Sequence, residues 1–120
     1  MSSAIKYYYH PRCSTCKKAK AFLEANGISP HEIDITQKAP TKADLKAMLK
    51  VYGGDLRRLF NTSGMQYRDL GLKDKVGKMS EKQALDLLSS NGMLVKRPFL
   101  LFSGGGLVGF RVQDWKAALL

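Results

Sequence analysis

Residues 5–35 constrain the fold more than any other stretch. Ile5-Lys6-Tyr7-Tyr8-Tyr9 is an aromatic, strand-forming run that stops at His10-Pro11. From Ser14 to Asn26 the apolar residues Cys16, Ala19, Phe22 and Leu23 recur at helical spacing. Lys17, Lys20 and Glu24 take the other side. Asn26-Gly27 is a helix stop signal, and Ile28 to Ile35 reads as a second strand with His31, Ile33 and Ile35 alternating. A strand-helix-strand unit of this length implies parallel pairing through a crossover.

The remaining signals extend that unit. Thr41-x-x-Asp44 starts a second helix with Leu45, Met48, Leu49 and Tyr52 on its apolar face, ended by Gly53-Gly54. Asp55 caps a short helix through Phe60, and Thr62-Ser63-Gly64 is a loop. Ser80-x-x-Gln83 is a capping box for a helix carrying Leu85, Leu87 and Leu88, which Asn91-Gly92 stops. Pro98 to Phe102 and Leu107 to Phe110 form a hairpin across Ser103-Gly104-Gly105-Gly106. A last helix starts near Val112, with Trp115 and Leu119 available to pack. The expected fold is α/β: a small mixed sheet with helices on both faces, thioredoxin-like. We expect one domain over residues 1–120, with a helical insertion at about 41–91.

Length and composition exclude several classes. A chain of 120 residues supports its own core without staples. No apolar run approaches the roughly 20 residues a membrane span needs. The start, Met-Ser-Ser-Ala-Ile-Lys, shows no signal-peptide core, so a cytoplasmic location is expected. Thiols stay reduced there, and a lone C-x-x-C in that setting is more often catalytic or redox-sensing than structural.

That pair is Cys13 and Cys16, and the chain has two cysteines in all. A structural zinc site needs four Cys or His ligands, and a second C-x-x-C or an H-x-x-x-H is missing. His10 and His31 flank the helix with no ligand spacing. Haem attachment needs a histidine after the second cysteine, where Lys17 stands. No bound metal or cofactor is expected. The competing bland reading is two small residues packing a helix start.

Cys13 falls in the turn between strand and helix. Unpaired N–H groups, the helix dipole and the neighbours Arg12, Lys17 and Lys18 all favour a thiolate there. Cys16, one turn on and nearer the core, is placed to attack a mixed disulfide on Cys13. A helix N-terminus also receives anions, so Ser14 is a candidate contact. Arg97-Pro98 precedes a strand. Its proline is either cis, turning the Arg97 backbone toward the cysteine loop, or simply the start of an edge strand.

Four stretches carry a resemblance. C-S-T-C-K-K-A-K from Cys13, N-T-S-G-M-Q-Y-R-D-L-G-L from Asn61 to Leu72, G-M-L-V-K-R-P from Gly92 to Pro98, and V-G-F from Val108 to Phe110 resemble the ArsC family. This family joins the glutathione- and glutaredoxin-linked arsenate reductases to the Spx regulators and to small uncharacterised relatives of YusI type. The resemblance implies a thioredoxin-like fold, a nucleophilic cysteine at Cys13 and an oxyanion-binding arginine at Arg97 before a cis Pro98. It also implies glutathione, glutaredoxin or thioredoxin as electron donor and a small thiol or protein thiol/disulfide as partner. Two departures stand out. Cys16 adds a second thiol to a loop that holds one in the reductases. Of three oxyanion arginines, Arg97 matches, Arg111 matches approximately, and Ser63 stands in the loop where another is expected. Losing one charge-assisted pair of roughly 1.5–3 kcal/mol is expected to weaken arsenate binding tenfold or more. The Spx branch implies a second class of function, a redox-switched regulator that binds RNA polymerase.

The net charge is +10, from twenty basic and ten acidic residues. Lys38, Lys42, Lys46 and Lys50 recur every four residues, most simply as a solvated face and otherwise as a surface for an acidic partner. No nucleic-acid motif is present, so direct DNA recognition is not expected.

Overall fold

The computed structural model describes residues 5–120, and the Met1–Ala4 lead-in lies outside them. Strand β1 (Lys6–Tyr9) leads through helix α1 (Ser14–Ala25) to strand β2 (His31–Asp34). Helices α2 (Lys42–Val51), α3 (Met65–Asp69), α4 (Leu72–Lys75) and α5 (Glu81–Ser90) follow, with short 3₁₀ turns at Leu56–Leu59, Val76–Lys78 and Gly92–Leu94. Strands β3 (Phe99–Phe102) and β4 (Gly105–Val108) form a hairpin, and α6 (Val112–Leu119) ends the chain. Among the described residues the strands make one sheet in the order β2-β1-β3-β4. β1 pairs with β2 in parallel and with β3 antiparallel, and β3 pairs antiparallel with β4. The mixed α/β, thioredoxin-like reading therefore holds.

The tyrosine run explains how the two layers are separated. Successive strand residues point to opposite faces. Tyr7 enters a cluster with Cys16, Ala19, Leu23, Leu100, Leu107 and Trp115, which joins α1 and α6 to one face. Tyr8 enters the larger cluster of Leu45, Met48, Leu59, Leu88, Leu94 and Phe99 on the other. Both hydroxyls are buried, and each finds an acceptor, as burial of a phenol requires. Tyr7 donates to the Cys16 carbonyl, and Tyr8 donates to Asp44 Oδ2 at 2.7 Å.

Two strand starts are corrected. The fourth strand is Gly105–Val108 rather than Leu107 to Phe110, because Phe102 pairs with Gly105 and leaves Ser103-Gly104 as the turn. The second strand starts at His31, not Ile28, because Ile28 is used up in stopping α1. Its N–H donates to the Leu23 carbonyl at 2.9 Å and that of Gly27 to Glu24 at 3.1 Å, the six-to-one and five-to-two bonds of a Schellman stop. Gly27 has φ of +69°, which favours glycine. Of the two readings of Pro98 the cis one holds: the Arg97–Pro98 bond is cis, and β3 lies between β1 and β4 rather than at an edge. The stretch from Met65 to Lys78, left unassigned by periodicity, forms α3, α4 and a 3₁₀ turn.

Helix starts follow the predicted signals. Thr41 Oγ1 accepts the Asp44 N–H, and Ser80 with Gln83 forms the reciprocal capping box. Asp44 is 7% exposed and is the one buried carboxylate among the described residues. It accepts from Tyr8 and from Lys6 Nζ at 3.1 and 3.2 Å, so a single carboxylate ties β1 to α2. The Lys6 side chain is 44% exposed, so its share of the pairing is small. Asp44→Ala leaves the Tyr8 hydroxyl buried and unpaired. It is expected to cost about 2–3 kcal/mol in urea unfolding, against under about 1 kcal/mol for Lys6→Met. Equal losses from the two changes would show that the ion pair, not the tyrosine, carries the link.

Candidate functional site

Cys13 is the N-cap of α1. The His10-Pro11-Arg12 turn presents it, with the Cys13 N–H donating to the His10 carbonyl at 3.1 Å. The His10 ring closes the same turn, Nδ1 accepting the Arg12 N–H at 3.0 Å. In the capping role usually filled by an oxygen, Cys13 Sγ accepts the Cys16 N–H at 3.1 Å. The sulfur is half-buried, faces the positive end of a helix and forms no disulfide.

Cys16 differs in each respect. It is 2% exposed, within the cluster that Tyr7 and Trp115 share. Burial pushes its thiol up to about 12, and the hydrogen bond and charge of Cys13 add to the rise. The backbone at His10 and, to a smaller extent, the Arg97 guanidinium act in the other direction. The same guanidinium, after burial, helps hold His10 below the ordinary imidazole range. Arg97 is therefore electrostatically coupled to both His10 and Cys16.

Beside this turn lies a cleft of about 510 Å³, bordered on α1 by Thr15. Arg97 and Arg111 line it. Arg97 Nη1 lies 3.9 Å from Met93 Sδ. Pro98 is buried, and its carbonyl accepts the Gly109 N–H at 2.9 Å. Gly109 has φ of +71°, and its carbonyl accepts the Trp115 indole N–H at 3.0 Å. Those bonds lay the Gly109–Arg111 segment beside Arg97-Pro98. Cys13, Cys16 and Pro98 are not among the lining residues, and Thr15 is the contact between the cleft and α1. Two further expected residues fall elsewhere. Ser14 is exposed and lies outside the lining, where its neighbour Thr15 takes the place. Ser63 is exposed in its loop and also lies outside the lining.

Three cations of the cleft were missed: Arg57, Arg58 and Lys96. The signal was the run Leu-Arg-Arg-Leu at 56–59, a single turn that buries Leu59 and leaves both arginines outside. The wall they stand on is fixed by backbone. Asn61 N–H donates to the Leu94 carbonyl at 2.7 Å, Lys96 N–H donates to Leu59 at 2.8 Å, and Phe60 bridges to Val95. Just before this wall Gly92 passes close to the end of β2: a Cβ there would lie 2.5 Å from the Ile35 carbonyl oxygen. Among the described residues no group of three or more His, Cys, Asp or Glu side chains forms a metal site. No helix among the described residues is long and apolar enough to cross a membrane.

Comparison with known proteins agrees with this geometry. The ArsC family pattern matches residues 8–118, from β1 into the last helix. The uncharacterised protein YusI of Bacillus subtilis is 46% identical over 94% of this chain and 96% of its own length. An ArsC family related protein from Bacteroides fragilis superposes with a TM-score of 0.90 at 37% identity, covering 98% of both chains. A possible arsenate reductase from Streptococcus mutans gives a TM-score of 0.86 at 39% identity, over 95% of this chain and 98% of that one. Relatives at 28% and 25% identity include an arsenate reductase of Rhizobium meliloti and the regulator Spx 2 of Bacillus anthracis. With the family pattern running through the cysteine turn, the cis Arg97–Pro98 bond and the Gly109 loop, this chain belongs to the ArsC family.

Proposed function

We propose that the chain is a thiol–disulfide oxidoreductase in which Cys13 is the nucleophile and Cys16 the resolving thiol. The observation that carries this reading is the asymmetry of the pair: one sulfur accessible at a helix N-terminus, the other buried one turn behind it with its N–H on the first. In the reduced protein Cys13, as thiolate, attacks a partner disulfide, forming a mixed disulfide and expelling one partner thiolate. Cys16 then loses its proton and attacks Cys13 Sγ. The partner leaves as a dithiol, and the two electrons it gained leave a Cys13–Cys16 disulfide behind. A thiol donor such as glutathione, glutaredoxin or thioredoxin returns the pair to the dithiol.

The reading also accounts for the order of events. Cys16 at about 12 is a neutral thiol at physiological pH and does not compete as first nucleophile. Two of the causes that raise it come from Cys13: the hydrogen bond and the Coulomb repulsion. A mixed disulfide on Cys13 removes the negative charge and with it the repulsion, while the lowering effect of Arg97 remains. Cys16 thus becomes easier to ionise once it has something to attack.

A regulator in the manner of Spx is the second reading. It is supported by the Spx 2 relative, which aligns with 92% of this chain. That reading implies binding to RNA polymerase with an affinity that changes when Cys13 and Cys16 are oxidised.

Two outcomes test the proposal. Cys16→Ser is expected to accumulate a mixed disulfide on Cys13 with a small thiol or a partner protein, visible on non-reducing gels and by mass. Cys13→Ser is expected to trap far less. Equal trapping by both variants would remove the assigned roles. In wild type, iodoacetamide is expected to modify Cys13 alone between pH 7 and 9. A raised thiol pKa keeps Cys16 protonated below its folded value, so its labelling should begin only as pH approaches about 12 or the chain unfolds. Simultaneous labelling of both thiols at pH 8 would contradict the geometry.

A further inference from the structure

The cleft beside the cysteine turn holds five cations, Arg57, Arg58, Lys96, Arg97 and Arg111, with Asp114 as the single acid in its lining. Among the described residues none of the five makes a salt bridge, although carboxylates elsewhere pair with Lys6, Lys20, Lys42 and Lys82. Three of the guanidiniums are nevertheless held in place, and each by a neutral group. Arg57 Nη1 donates to the Lys73 carbonyl at 3.2 Å. Arg58 lies over the Tyr52 ring, 4.6 Å from its centroid, and the Tyr52 hydroxyl is itself fixed by the Val108 N–H at 3.1 Å. Arg97 rests beside the Met93 thioether. Such contacts restrict the side chains without neutralising them. Like charges crowded into one concavity repel, and repulsion in a cleft is screened less than on an open surface.

Building on the oxidoreductase reading, we infer that this cleft selects the disulfide partner by charge, receiving an acidic peptide segment that flanks the partner's cysteine. Its volume exceeds what one oxyanion fills and suits several residues of peptide. Its cations are spread over the 3₁₀ turn at Leu56–Leu59, the Lys96-Arg97 segment and the loop before α6, so they can meet several carboxylates at once. Thr15 places its near end two residues from Cys13 along α1. A nucleic-acid backbone fits less well: the cations line a concavity rather than a continuous exposed track. The lysines of α2 do not share this role. Lys42 is already paired with Asp86 at 2.6 Å, and Lys46 lies on the exposed side of the helix.

The test uses the full reduced chain and three disulfide-bridged peptides of equal length, whose flanks carry three acidic, three neutral or three basic residues. The acidic peptide is expected to be reduced with a kcat/KM at least about tenfold above the neutral one at low salt, and the basic peptide below both. The advantage should shrink as salt rises. Removing two cleft charges, Arg57→Ser with Arg58→Ser, should bring the acidic peptide close to the neutral one. Removing two charges elsewhere, Lys46→Ser with Lys50→Ser, should leave the preference in place. Equal rates for the three peptides, or equal loss in both double variants, would overturn the inference. Binding of the same peptides with serine for cysteine, read by fluorescence anisotropy, separates the two levels of argument. Absence of reduction with a retained acidic preference in binding would sink the redox reading and leave the cleft assignment standing. Tighter binding of an oligonucleotide of equal charge than of the acidic peptide would overturn the cleft assignment.

Discussion

The short backbone pairing between residues 59–61 and 94–96 holds the two halves of the site together. Two N–H···O bonds, Asn61 to Leu94 and Lys96 to Leu59, join the helical region after β2 to the segment that enters β3. Buried Phe60 and Val95 sit at the centre of the pairing. Because the residues on either side of it carry charge, one local ladder decides which cations face each other. Arg57 and Arg58 precede it on one strand, and Lys96 and Arg97 lie on the other. Without this pairing those four residues are separated by most of the helical region and have no reason to converge.

The cysteine turn depends on a different link. Tyr7 on central β1 donates its hydroxyl to the Cys16 carbonyl, in the first turn of α1. Burial pushes that hydroxyl above its ordinary range, so it stays a donor across physiological pH. The bond sets the depth at which α1 begins, with Cys16 inside the core and Cys13 at its rim. A phenylalanine would pack similarly but would leave the Cys16 carbonyl without this donor. The tyrosine run thus does more than form a strand: Tyr7 positions the cysteine turn, and Tyr8 anchors α2 through Asp44.

What was legible in the sequence was local. Strand β1, helix α1, the Thr41 and Ser80 caps and the hairpin follow from periodicity and capping chemistry, which act within a few residues. Cys13 and Cys16 were legible because their spacing and their position after a strand carry their own logic. The start of β2 was misplaced because apolar Ile28 looks like a strand residue, while its N–H is committed to ending α1. Met65 to Lys78 escaped because helices of four or five residues do not complete an apolar period. Arg57, Arg58 and Lys96 escaped because their convergence comes from a long-range ladder that no local pattern announces. Ser63 itself is exposed, while its neighbour Thr62 borders the cleft.

Charge and thiol chemistry meet at Arg97. Its guanidinium lines the cleft and, after the His10 backbone, adds a smaller lowering of the Cys16 thiol against the rise that burial and Cys13 impose. A carboxylate seated against Arg97 would cancel part of that lowering. Acidic partners would then gain in capture, since attraction brings their disulfide to Cys13, yet lose in release, since Cys16 ionises less readily while the carboxylate remains. The two effects fall on different steps. Capture governs kcat/KM, and attack by Cys16 governs kcat when resolution is slow. A charge-selective cleft of this kind therefore favours partner choice over turnover. On the oxidoreductase reading it would also lengthen the life of the mixed disulfide, and the same arginine would bear on both capture and release.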